Sequence, residues 1–235
     1  MTLINSNMKI IIAKTAGFCM GVRRAVELTL KASSNKNHPV YTYGPLIHNP
    51  QVLKLLSEKS VSVLEKIPKK GAGTVLIRAH GVSPADKKKL KNVEFDIIDA
   101  TCPHVVRVQT IIQKHKEKGY ASIIVGDKKH PEVIGLLGCA GEKGYVIDKL
   151  SALDMLPDFE KAVIVAQTTQ NTTLFDRVFR WAKDKFPNYK AFNTICDSTK
   201  KRQDEIKQLA KMVDAIVIVG AHHSGNTCRL AEIAS

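Results

Sequence analysis

Three cysteines, Cys19, Cys102 and Cys196, share one local setting, and this repetition constrains the fold more than any other feature of the chain. Each follows a strand-like run, at 9–14, 95–99 and 190–195, and each precedes a helical pattern, at 22–31, 105–118 and 200–212. Every helix carries an early arginine: Arg24, Arg107 and Arg202. A short apolar strand ending in glycine comes next, at 40–44, 122–126 and 215–220. The spacings from Cys19 to Gly44, Cys102 to Gly126 and Cys196 to Gly220 are 25, 24 and 24 residues. Four residues past each glycine stands a polar residue opening a tripeptide: His48-Asn49-Pro50, His130-Pro131-Glu132 and Ser224-Gly225-Asn226. A helical apolar pattern follows each time. Such a fixed period marks repeated supersecondary units.

The first two units go further. Residues 74–79 lead into His80, and 162–166 lead into Gln167-Thr168-Thr169. Both are continuous apolar runs bounded by loop residues, the pattern of buried parallel strands. Each unit therefore reads as βαβαβ. The expected fold is α/β, three pseudo-symmetric domains with mostly parallel sheets around a common centre. Their expected bounds are 20–102, 103–196 and 197–235, with an N-terminal strand at 8–19 joined to the third. In such sheets ligands bind beyond the carboxyl ends of the strands, and every polar residue just named lies there. Cysteine to cysteine, the first two units span 83 and 94 residues, whereas 39 follow Cys196. By the same repeat logic ~40–55 more residues would complete the third unit. The chain is thus expected to be a fragment or a truncated product, its 215–220 strand left with an open edge.

The rest of the composition narrows the class. With 235 residues, 44% hydrophobic and 25% charged, the chain reads as globular rather than disordered or fibrous. No apolar run approaches the ~20 residues of a membrane helix, and the run Ile10-Ile11-Ile12-Ala13 is too short for a signal-peptide core. A cytoplasmic location is expected, with Met8 a candidate start and residues 1–7 an unstructured lead. Five well-separated cysteines without a CxxC exclude local zinc-finger and ferredoxin clusters and argue against a disulfide framework. Isolated thiols are either inert core residues or ligands gathered from distant segments. A net charge of +14 suits an anionic substrate, a polyanion or an acidic protein partner, or is a solvated lysine-rich surface.

Equivalence by position favours ligation. A pseudo-threefold axis would bring Cys19, Cys102 and Cys196 together at helix N-termini, where dipoles stabilise thiolates. Soft ligands of this kind suit zinc or an iron–sulfur cluster. Cys139 and Cys228 fall outside the repeated slot and read as core or surface thiols. The second ring is His48, His130 and Ser224 with His80, Thr168, Glu132 and Asn226. Imidazoles, hydroxyls and an amide suit an oxyanion such as diphosphate. Glu132, the ring's one carboxylate, is the candidate proton source. His104 has no counterpart in the other units, His222-His223 reads as loop lining, and Gly71-Ala72-Gly73 lacks the spacing of a dinucleotide fingerprint or a P-loop.

Eight segments in order resemble the 4-hydroxy-3-methylbut-2-enyl diphosphate reductase family, over the chain from Met8 to its end. They are Ala16-Gly17-Phe18-Cys19-Met20-Gly21-Val22, Gly44-Pro45-Leu46-Ile47-His48-Asn49, Arg78-Ala79-His80-Gly81-Val82, Asp99-Ala100-Thr101-Cys102-Pro103, His130-Pro131-Glu132-Val133, Gln167-Thr168-Thr169, Thr194-Ile195-Cys196 and Ser224-Gly225-Asn226-Thr227. The resemblance implies three α/β domains around a 4Fe-4S cluster ligated by Cys19, Cys102 and Cys196, with the substrate hydroxyl at the fourth iron. It implies diphosphate binding by His48, His80, His130, Ser224 and Asn226, and proton donation by Glu132 with Thr168 in its relay. Gly225 stands where many members carry serine, which leaves a backbone contact there. A further diphosphate-binding serine of the family lies beyond the present chain. The implied reaction is reductive dehydroxylation to isopentenyl and dimethylallyl diphosphates, the last step of the non-mevalonate isoprenoid pathway. Electrons would come from a ferredoxin or flavodoxin. The expected partners are this small allylic diphosphate and the electron donor, with no nucleic acid, no membrane and a monomeric state. Two rival readings are a quinolinate synthase-like iron–sulfur enzyme, whose motifs these segments do not resemble, and a basic RNA-binding module. The second would need arginine and lysine interleaved with stacking aromatics, and aromatics are only 6%.

Overall fold

The structure, a computed structural model, describes residues 9–34, 38–185 and 187–235. The lead at 1–7 and Met8 lie outside them. Two parallel four-stranded sheets form its body, α/β as expected. The first unit opens with α1 (Met20–Ser33), then β1 (Val40–Tyr43), α2 (Pro50–Glu58), β2 (Val61–Leu64), β3 (Thr74–Ile77), α3 (Pro84–Lys91) and β4 (Asp96–Asp99). The second has α4 (Pro103–Lys116), β5 (Ala121–Val125), α5 (Pro131–Ala140), β6 (Gly144–Ile147), β7 (Ala162–Ala166), α6 (Thr172–Lys185) and β8 (Tyr189–Phe192). Strand orders are β2-β1-β3-β4 and β6-β5-β7-β8, the same topology twice. The last region carries α7 (Asp197–Leu209) and α8 (Gly225–Ala234).

Alternation across the strands builds two cores per sheet. In β5 and β7, Ile123, Val125, Ile164 and Ala166 face Phe175, Val178 and Ala182 of α6. Ile124, Val163 and Val165 point to the other face, against Val108 and Ile112 of α4 and Val133 and Leu136 of α5. Burial on both faces is why these strands are apolar at every position. The first sheet repeats the plan: Leu76 packs toward α1 and α2, while Val75 and Ile77 pack toward Leu90 of α3. Pro50, Pro84, Pro103 and Pro131 each open a helix, where a missing N–H costs nothing.

Four expectations are corrected. Residues 9–14 are not a strand, and neither are 215–220. Both segments are apolar, but among the described residues no strand pairs with either, and a strand exists only by its ladder. Most of their side chains stay exposed, Ile12 at 80% and Val219 at 92%, with Ile216 and Ile218 partly covered. The sheets also hold β2 and β6, short edge strands that a plain βαβαβ reading omits. Finally, α4 stops at Lys116 and α7 at Leu209, each ahead of its apolar pattern. Among the described residues no helix is long and apolar enough to cross a membrane.

Candidate active site

The site is assembled from loops beyond the carboxyl ends of the strands. Cys19, Cys102 and Cys196 are the N-caps of α1, α4 and α7, and none of their side chains caps its own helix. The three thiols are free. Repeat-equivalent backbone bonds hold two of them: Cys102 N–H donates to the Ala79 carbonyl at 2.9 Å, and Cys196 N–H to that of Thr168 at 3.0 Å. Cys196 Sγ lies 3.2 Å from Ser198 Oγ and 3.0 Å from Thr199 Oγ1. Burial pushes the Cys102 thiol up; the amides of His104 and Val105 oppose this, and Cys19 and Cys196 push it further. That last effect places all three sulfurs in one electrostatic neighbourhood. Gly21 adds a close approach: a Cβ there would sit 2.5 Å from Cys102 Sγ. The first turn of α1 therefore leans on the cysteine that caps α4.

Three cysteine thiols brought by three helix N-termini are the soft donor set of an iron–sulfur cluster or of zinc, and the residues present fit such a group. Among the described residues, the group with spacing for one ion is His48, His80 and His130, whose ligand atoms lie within 4.8 Å of each other.

These imidazoles form a triad with ring centroids 4.6, 5.5 and 5.3 Å apart. Each comes from a loop after a different strand: His48 after β1, His80 after β3, His130 after β5. Burial lowers the basicity of all three, and for His130 the value falls to about 4. They are neutral near pH 7. His130 Nδ1 accepts the Glu132 N–H at 3.2 Å, which assigns the ring proton to Nε2. His48 Nε2 and His80 Nδ1 are buried without a partner among the described residues, which leaves both able to bond a group placed between the rings.

Glu132 is fully buried. It accepts the Thr168 N–H at 2.6 Å and the Thr168 hydroxyl at 2.8 Å. Burial dominates these bonds and raises its pKa from 4.5 to about 7. Ser224 caps α8 through the Thr227 N–H. Gly225 is a close-approach residue: a Cβ would lie 2.5 Å from Thr169 Oγ1, so a serine here would force Thr169 aside. Asn226 Oδ1 accepts the Thr199 hydroxyl at 3.1 Å. Thr199 thus bridges Asn226 and Cys196, and the structure joins the two rings of predicted residues there. Arg229 pairs with Asp127 across the same seam.

Two groups escaped the sequence reading. Arg78, whose Nε donates to the Gly81 carbonyl, depresses all three histidines, as His223 depresses His48. A signal for Arg78 was present, a cation two residues before His80 at a strand end. His223 had none beyond a loop position. Cys139 is buried in the second core with its thiol pushed up to about 11 by burial, and Cys228 donates to the His222 carbonyl at 3.0 Å; neither joins the ring.

Unprotonated imidazoles beside a guanidinium, with three helix N-termini at the loops, make a site for an anion. Comparison with known proteins agrees with that geometry. The family model described as LytB protein matches residues 10–235. A 4-hydroxy-3-methylbut-2-enyl diphosphate reductase of Opitutus terrae is 42% identical over 239 residues, 97% of this chain and 83% of that protein. One of Geobacter sulfurreducens is 40% identical over 97% of this chain and 80% of its own length. A solved structure of the diphosphate reductase of Plasmodium falciparum superposes with a TM-score of 0.87 at 28% identity, covering 93% of this chain and 70% of that one. A second solved structure, titled as the terminal enzyme of the non-mevalonate pathway, gives 0.75 at 41% identity, covering 96% and 81%. The chain belongs to the LytB protein family, an enzyme family of reductases.

Proposed function

We propose that this chain reduces 4-hydroxy-3-methylbut-2-enyl diphosphate to isopentenyl and dimethylallyl diphosphates on a 4Fe-4S cluster held by Cys19, Cys102 and Cys196. The carbon–oxygen bond breaks, a carbon–hydrogen bond forms and water leaves, at the expense of two electrons and two protons. When bound, such a cluster supplies the electrons singly and Lewis acidity at the iron that no cysteine holds. The remaining work falls to side chains. His48, His80, His130, Ser224 and Asn226 hold the diphosphate, the imidazoles donating N–H groups to its oxygens. Arg78 adds positive potential without leaving its Gly81 contact. Thr168 keeps the Glu132 carboxyl in place and belongs to its proton path. Glu132 supplies a proton to the departing hydroxyl, which is a poor leaving group as hydroxide.

One observation carries this reading: a buried carboxyl held by the Thr168 amide and hydroxyl, beside an imidazole triad that leaves ring nitrogens unpartnered among the described residues. A ferredoxin- or flavodoxin-type donor, a monomeric state, a cytoplasmic location and the three-domain division at 20–102, 103–196 and 197–235 complete the proposal. The test is anaerobic reconstitution followed by turnover with a chemical reductant. Glu132→Gln should keep the cluster and bind substrate with turnover down by ~10²–10⁴-fold, the usual worth of a general acid. Near-normal turnover in that variant would remove Glu132 from the proton path. A second reading of the triad, a single divalent ion, is favoured by its 4.8 Å spacing. Equilibrium dialysis with zinc, with and without diphosphate, separates the two.

A further inference from the structure

The repeat places an arginine early in each cysteine-capped helix, and two of these reach the loop that carries a different cysteine. Arg24 of α1 donates from Nη1 to the Thr101 carbonyl at 3.1 Å and from Nη2 to that of Asp99 at 3.2 Å. Both carbonyls belong to the segment leading into Cys102. Arg202 of α7 donates to the Gly17 carbonyl at 2.7 Å, two residues ahead of Cys19. On the same helix Glu205 accepts the Lys14 and Thr15 amides at 2.6 and 2.9 Å and the Thr15 hydroxyl at 2.5 Å. Each helix thus begins at one cysteine and grips the loop of another. The third member of the set differs. Arg107 of α4 is exposed, and Cys196 has its own hydroxyl neighbours.

We propose that Arg24 and Arg202 are positioning residues that act in trans, α1 fixing the Cys102 loop and α7 the Cys19 loop, so that the three thiols are set at cluster spacing before any iron arrives. The physics is preorganisation. A loop that ligates through one sulfur must be immobilised, and a guanidinium on its carbonyls does so in advance. The two arginines differ in kind. Arg24 spans two carbonyls with two nitrogens of one rigid plane, a geometry that the single nitrogen of a flexible lysine does not reproduce. Arg202 makes one bond, which a lysine can replace.

The inference rests on the cluster reading for its purpose but not for its first test. In the iron-free 235-residue chain, alkylation of each cysteine with iodoacetamide is followed by peptide-resolved mass spectrometry. Arg202→Ala should speed Cys19 several-fold and leave Cys102 within twofold; Arg24→Ala should do the reverse. Arg107→Ala should change neither. Arg202→Lys should keep wild-type rates, while Arg24→Lys should behave as Arg24→Ala. After reconstitution, iron release to a chelator should be about tenfold faster in either alanine variant, the scale of one lost charge-assisted hydrogen bond. Equal alkylation rates in all variants, or an increase confined to the cysteine on the mutated helix, would overturn the proposal. A variant that lowers the melting temperature with uniform acceleration of all five cysteines also counts against it, since that is global loosening. Should the wild type take up no cluster, the cluster reading fails and the alkylation pattern still decides this one.

Discussion

The strands β3 and β7 and the segment 215–220 are written in nearly the same letters, Thr-Val-Leu-Ile, Ala-Val-Ile-Val-Ala and Ala-Ile-Val-Ile-Val-Gly, and they end in opposite states. β3 and β7 sit inside four-stranded sheets, hydrogen-bonded on both sides and covered on both faces. Segment 215–220 has no ladder, and Val217 and Val219 face solvent. Apolar, β-branched composition makes a strand affordable but does not make one. The neighbour supplies the hydrogen bonds and the covering helix supplies the burial.

The largest expected effect follows from that contrast. Ile164→Ala in β7 should cost about 2–5 kcal/mol, since the side chain is buried between neighbours that relax only partly. Val219→Ala should stay within about 0.5 kcal/mol, as exposed positions do. Chemical denaturation of the two variants measures both. A loss at Val219 matching that at Ile164 would mean that the exposed segment is buried in solution.

A second contrast lies between the two complete units, which share strand order yet differ chemically. At the tripeptide slot the first unit has Pro50, the second Glu132 and the last region Asn226. Only the second unit can supply a proton there. Because burial raises the Glu132 pKa in the folded chain to about 7 from 4.5, the unfolded chain releases its proton first as pH rises. Wild-type stability should therefore fall relative to Glu132→Gln between pH 4.5 and 7, by up to a few kcal/mol, and level off above. Melting curves of both proteins across that range check it. A difference independent of pH would mean that the carboxyl ionises normally. Turnover, in turn, should decline as pH rises through 7.

The histidines work in the other direction. His130, depressed to about 4 from 6.5, leaves the unfolded chain the better proton acceptor below pH 6.5. Stability from this residue is lost as pH falls from 6.5 toward 4. His130→Gln should lessen that acid sensitivity by up to a few kcal/mol, while the limb due to the two further imidazoles remains. An unchanged acid limb would place the titration elsewhere.

Much of this architecture is legible from spacing alone, and the failures have physical causes. The repeat located Cys19, Cys102 and Cys196 at helix N-caps because a strand–loop–helix unit of fixed length returns its loop to the same sheet edge. It located His48 and His130 for the same reason. The edge strands β2 and β6 escaped because four residues at a sheet margin carry little apolar signal; in β2 only Val61 is buried. Segments 9–14 and 215–220 were misread because local pattern reports burial potential and not the presence of a partner. Arg78 and the bridge from Thr199 to Asn226 depend on side-chain reach between separate elements, which repeat spacing along the chain does not reveal.

The central claim is that repeat-equivalent position, and not thiol chemistry as such, selects the ligands. Iron and sulfide content of anaerobically reconstituted cysteine-to-serine variants tests it most directly. Cys19→Ser, Cys102→Ser and Cys196→Ser should each fail to hold a stable cluster, while Cys139→Ser and Cys228→Ser should match the wild type. Loss of iron in Cys139→Ser, or full retention in any of the first three, would contradict the account.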